Sequence, residues 1–175
     1  MIYTFRFISD EEESFIMDVN INHDQTFLQL HQIIQERLGF DPGQLTSFFV
    51  SNESWEKLEE ITLLDMGTEQ AHIMENTPIE MFYHEKNERL LYVFDYLAER
   101  LLFGSIVRMI DAESPIPLPT VSKLEGITPE QTLHCDFGED EFLMSDQDED
   151  SEAFGYEDEL PEDLEDYNPE PGNDY

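Results

Sequence analysis

Apolar and polar residues alternate over residues 2–8, with Tyr3, Phe5 and Phe7 on one side and Thr4 and Arg6 on the other. That period of two predicts a half-buried strand. Beyond an acidic turn at 9–14, Phe15, Met17, Val19 and Ile21 repeat the alternation against Asp18 and Asn20, so the two segments are expected to pair as a hairpin. The period then changes. Phe27, Leu30, Ile33, Ile34 and Leu38 recur at helical spacing while Gln29, Gln32, Gln35 and Glu36 fall away from the stripe. Asp24 or Thr26 can cap this helix, Gln29 completes a capping box with Thr26, and Gly39 before Phe40 suits a left-handed stop. A hairpin running into a helix that covers it, followed by a strand at 46–50, predicts an α+β fold. Its expected form is a β-grasp-like mixed sheet with one main covering helix at about 26–38.

Beyond residue 50 the pattern loosens. Trp55 and Leu58 suit a short strand or turn, residues 62–66 one helical turn, and 67–76 a loop. After Pro78, strands are expected at 79–84 and 90–96, paired across the polar turn 85–89. Residues 101–110 could form a helix through Leu102, Phe103, Ile106, Val107 and Ile110. Their β-branched and aromatic content after Gly104 favours a strand that closes the sheet. Pro115, Pro117 and Pro119 then stiffen the chain and end the ladder. The expected organisation is an α+β domain over 1–113, a Pro-containing linker or domain edge over 114–135, and a tail over 136–175.

Charge sets that tail apart. The 175 residues carry a net charge of −34, and residues 136–175 hold 18 of the 42 acids with no Lys or Arg, leaving 24 acids against eight bases elsewhere. Such a block cannot bury enough apolar area to offset its ordering entropy, which predicts a disordered acidic tail. Phe142, Phe154, Tyr156 and Tyr167 punctuate it, as in acidic segments that dock on a basic or apolar partner. A basic protein surface and the chain's own domain are the candidate partners. The same charge repels phosphates and anionic headgroups, so no direct nucleic-acid or membrane partner is expected. Residues 97–110, the nearest thing to an apolar span, are broken by Glu99, Arg100, Gly104 and Arg108. A lone Cys135 and the absence of a secretory signal pattern at the start make the cytoplasm the expected compartment.

Candidate chemistry is sparse. His23, His31, His72, His84 and His134 do not share a metal-binding spacing, and Cys135 has no feature that would activate its thiolate. His31, with Asp95, is the candidate for a general base in a pocket between helix and sheet; the competing expectation is a half-buried helix histidine satisfied by a neighbour. No Gly-rich phosphate loop or nucleophile elbow occurs. No catalytic residue and no cofactor is therefore assigned. Asp146, Asp148, Asp150 and Glu157 reproduce positions 1, 3, 5 and 12 of a calcium loop, although the glycine place holds Ser151. Calcium is the one metal this pattern suggests.

The opening strand, the Thr26-Phe27-Leu28-Gln29-Leu30-His31-Gln32-Ile33-Ile34-Gln35 helix, the Gly39-Phe40-Asp41 turn, the Leu45-Thr46-Ser47-Phe48 strand start and the Leu91-Tyr92-Val93-Phe94-Asp95-Tyr96 run together resemble the plasmid pRiA ORF-three-like family over roughly residues 1–110. Members of that family also travel as passenger genes in insertion sequences. The resemblance implies an α+β fold and an association with mobile genetic elements, and it carries no established reaction. The function expected from all of this is a non-enzymatic protein-interaction module with an acidic tail. The alternatives are a DNA mimic that occupies a nucleic-acid-binding protein and a calcium-binding acidic protein.

Overall fold

The computed structural model describes residues 1–65, 67 and 72–131. The described strands are β1 (Ile2–Ser9), β2 (Ile16–Asn22), β3 (Ser47–Ser51), β4 (Lys57–Thr62), β5 (His72–Ile73), β6 (Arg89–Asp95), β7 (Arg100–Ile110) and β8 (Thr120–Glu125). They form one sheet in the order β5-β4-β3-β6-β7-β1-β2-β8, antiparallel throughout except for the parallel β4–β5 pair. Helix α1 (Phe27–Leu38) packs on one face, so the fold is mixed α+β.

The first forty residues follow their pattern. β1 and β2 pair antiparallel with Tyr3 opposite Ile21, Phe5 opposite Val19 and Phe7 opposite Met17, and all six side chains are buried beneath the helix side of the sheet. Thr26 caps α1, with Gln29 N–H donating to its hydroxyl and Gln29 Oε1 accepting from its N–H, as the capping box requires. Gly39 takes the left-handed conformation at φ 71°, and Phe40 N–H reaches back to Gln35 O before its ring stacks on Phe94. A Cβ costs energy at that φ, which is why glycine ends the helix there.

Later elements depart from expectation, each for a physical reason. The strand after the helix, β3, lies beyond β6 and β7 from the hairpin; of the β-grasp-like expectation, the structure shows the mixed α+β sheet with one covering helix. Thr62, expected to start a helical turn, ends β4, and residues 72–73, expected to be loop, add the short strand β5. Residues 79–84 are no strand. Ile79–Met81 is a 3-10 turn, because the chain before it supplies acceptors to α1: Phe27 N–H bonds Thr77 O and Leu28 N–H bonds Met74 O. These are two of the amides that every helix start leaves unpaired. The expected pairing across 85–89 is therefore absent, and β6 pairs with β3 and β7 instead. β7 does not close the sheet but sits between β6 and β1, joining its two halves. The ladder resumes after the prolines, where β8 pairs with β2 as an edge strand inside the segment expected to be linker or domain edge. Residues 132–175, with the whole acidic tail, lie outside the described residues.

Gly104 sits where β7 crosses the core. A Cβ there would stand 2.8 Å from Phe7 Cε1 and 2.9 Å from Leu90 Cδ2. Both neighbours are fully buried and cannot retreat without displacing others. Gly104→Ala is expected to cost about 1–3 kcal/mol by overpacking, read as a lowered urea midpoint at unchanged slope.

Candidate functional site

The strands carry apolar residues on both faces, while the helix covers only one. Among buried core residues, Phe48, Leu90, Tyr92, Phe94, Leu102 and Ile106 cluster with the helix residues Phe27, Leu30 and Ile34. Their strand neighbours point the other way. The register aligns these into rows across the second face, which is open among the described residues. Phe49 lies opposite Leu91, Leu91 opposite Phe103, Phe103 opposite Ile8 and Ile8 opposite Ile16, an apolar row spanning five strands. A polar row runs alongside, from Ser51 through Arg89, Ser105, Arg6 and Asp18 to Lys123. Leu91 is buried between its neighbours, whereas Phe49 and Phe103 are half-buried and Ile8 is 43% exposed.

The β3–β4 turn folds the chain's one tryptophan over this face. Asn52 Oδ1 accepts from the N–H groups of Ser54 and Glu56, and Trp55 is held at φ 63°, a conformation that bulky residues seldom adopt. Its ring meets Phe103 edge-on at 5.0 Å, and the Arg89 guanidinium stands 4.6 Å above it. Lys57 Nζ lies 4.7 Å from the centre of the Phe49 ring. Arg6 forms a two-pronged pair with Asp18 at 2.8 Å on each arm, and Arg108 Nε donates to Thr4. Five of the chain's eight Lys and Arg thus gather on one face of a strongly acidic protein.

A pocket of about 210 Å³ opens where β3 begins and β4 ends, lined mainly by Leu45, Ser47, Glu60, Leu63, Leu64 and Tyr96. The Tyr96 hydroxyl donates to Glu60 Oε1 at 2.7 Å and accepts from Ser47 Oγ at 2.5 Å, since a carboxylate can only accept. Burial, with the Ser47 bond opposing and Glu60 adding, pushes the Tyr96 phenol up to about 12. A larger depression of about 420 Å³ lies between Leu38–Asp41 and residues 128–131.

Histidine chemistry is disposed differently from the general-base expectation. His31 is 3% exposed beneath the helix, where its Nδ1 accepts from the Tyr92 hydroxyl at 2.9 Å with Thr46 Oγ1 3.4 Å away. Burial drives it down to about 4, so it is neutral at neutral pH, and it lines none of the cavities described above. Asp95 is used elsewhere, accepting from the N–H groups of Leu97 and Ala98. His23 and His84 share a depression with Glu80, which bonds His23, while His72 meets Phe82 edge-on. Among the described residues no three His, Cys, Asp or Glu are placed to hold a metal, and no helix is long and apolar enough to cross a membrane. His134, Cys135, the calcium pattern at Asp146, Asp148, Asp150 and Glu157, and the tail aromatics Phe142, Phe154, Tyr156 and Tyr167 lie outside the described residues.

The family of plasmid pRiA4b ORF-3-like proteins matches residues 8–171. The chain belongs to it. The match runs well past residue 110, where the motifs that carry the resemblance end, so the pRiA4b ORF-3-like region takes in β8 and most of the acidic segment. No curated protein matches this family member. A crystal structure of a protein of unknown function, MM3350 from Methanosarcina mazei Go1, is similar with a TM-score of 0.54 at 14% identity, over 70% of this chain and 68% of that one. That likeness is one of fold.

Sequence reasoning missed the open face of this pRiA4b ORF-3-like protein. A signal was present: residues 90–94 are apolar at every position, which marks a strand buried on both sides rather than one.

Proposed function

We propose that the chain is a non-enzymatic protein-interaction module that recognises a basic protein surface. The observation that carries this is the sheet face that no described element covers, where an apolar row lies beside Trp55, Arg89 and Phe103. Tryptophan, phenylalanine and arginine are the residue types that concentrate at the centres of protein interfaces, and the binding energy tends to reside in a few of them. Charge selects the partner. The face itself, which carries five of the eight Lys and Arg, meets the partner through its apolar row and Trp55. The 18 acids after residue 135, with no base among them, supply the charge that draws a cationic surface in and turns phosphates away. Phe142, Phe154, Tyr156 and Tyr167 give the acidic segment apolar points with which to dock.

The test compares proteins retained from a lysate by the full chain and by Trp55→Asn, asparagine being a residue that tolerates the left-handed turn. Loss of an interface tryptophan is expected to weaken retention of a basic partner about 30-fold. Equal retention by both chains would contradict a role for this face.

A further inference from the structure

We propose that the pocket at the end of the open face receives a primary alkylammonium chain of the kind a lysine side chain carries. This rests on the interaction role above and names the group through which a basic partner is gripped. The volume of about 210 Å³ falls below the roughly 300–1,000 Å³ of sites for drug-sized ligands, so the occupant is a side chain or a small amine. Leu45 and Leu64 are 58% and 56% exposed at its walls, an aliphatic surface that a four-carbon stem would cover.

Among the described residues, Glu60 is the one charged residue in the lining. It pairs with no Lys, Arg or His among the described residues. The hydrogen-bonded chain from Ser47 through Tyr96 engages Glu60 Oε1, leaving the other carboxylate oxygen to accept from an ammonium. The ammonium can also lie against the Tyr96 ring. An anionic ligand would meet like charge here, and a neutral alcohol would forgo the charge-assisted bond.

The experiment follows the leucine methyl NMR signals of the full chain as n-butylammonium chloride is added, with 1-butanol and sodium chloride as controls. Saturable shifts confined to Leu45, Leu63 and Leu64 are expected with the amine alone. Glu60→Gln, which still accepts from Tyr96, is expected to weaken binding about tenfold. Matching shifts from Nα-acetyl-lysine amide would support a lysine side chain as the source, and their absence beside butylammonium binding would support a free amine. Equal shifts with butanol, or unchanged amine affinity in Glu60→Gln, would overturn the proposal. If Glu60→Gln loses the amine yet retains its basic partner in full, the pocket has no part in that contact and the interaction role stands. If the amine binds as expected while the chain retains no basic protein, the interaction role falls and a small-amine site remains.

Discussion

Phe27→Ala is expected to destabilise the fold by about 3–5 kcal/mol, the range for removing a buried aromatic ring, and to lower Tm by roughly 10 °C. Phe27 is the first residue of α1 and is wholly buried. Its ring touches Phe48 of β3 at 5.3 Å, Tyr83 at 6.1 Å and Phe82 at 6.3 Å, so it ties the helix both to the sheet and to the segment that supplies acceptors to the helix start. Three of its neighbours are aromatic rings that cannot fold into the vacated space, so a cavity term adds to the lost transfer energy. Chemical unfolding of the full chain checks this. Phe27→Leu, which restores most of the volume, should recover more than half of the loss.

The second large effect is a dependence on pH through His31. Its folded value of about 4 lies below the unfolded value of 6.5, so the unfolded chain binds the extra proton first as the pH falls. The stability from a neutral, buried His31 is thus fully present above about pH 6.5 and is lost progressively down to about pH 4. The two and a half units between these values correspond to about 3 kcal/mol. Carboxylates titrate over part of the same range, so the measurement is a difference. Urea midpoints of the wild-type chain and His31→Gln are compared from pH 7 to pH 4, glutamine retaining an acceptor for the Tyr92 hydroxyl. Wild type should lose about 3 kcal/mol more than the variant; parallel curves would show that His31 does not titrate with unfolding.

The parts of the fold written in local pattern are legible in the sequence itself. The β1–β2 hairpin, the Thr26–Gln29 cap, the Gly39 stop and the β6 and β7 strands all follow from alternation, helical spacing or capping chemistry within a few residues. The parts that are not legible depend on distant partners. Residues 79–84 have strand-like composition, but their surroundings make them a 3-10 turn beside the helix start. The position of β3, two strands removed from the hairpin, is set by β6 and β7, neither of which the opening forty residues could reveal.

The site is less legible than the fold. Histidines and acidic repeats stand out as chemistry, yet His31 lies in the core, and the open face is assembled from residues that read individually as ordinary strand positions. Phe49, Leu91, Phe103, Ile8 and Ile16 come from five strands far apart in sequence, and only register places them in one row. Trp55 reaches that row through a left-handed turn that its neighbours Asn52 and Ser54 hint at but do not dictate. Glu60, Ser47 and Tyr96 likewise meet only through the pairing of β3 with β4 and β6.

The most direct test of the interaction role is the dissociation constant of a retained basic partner for the full chain and for a chain ending at residue 135, at 50 mM and 200 mM salt. Affinity for the full chain should fall at least tenfold between the two salts and drop further when residues 136–175 are removed, because the 18 acids there supply the attraction and salt screens it. A dissociation constant indifferent both to salt and to the loss of that segment would contradict recognition by charge.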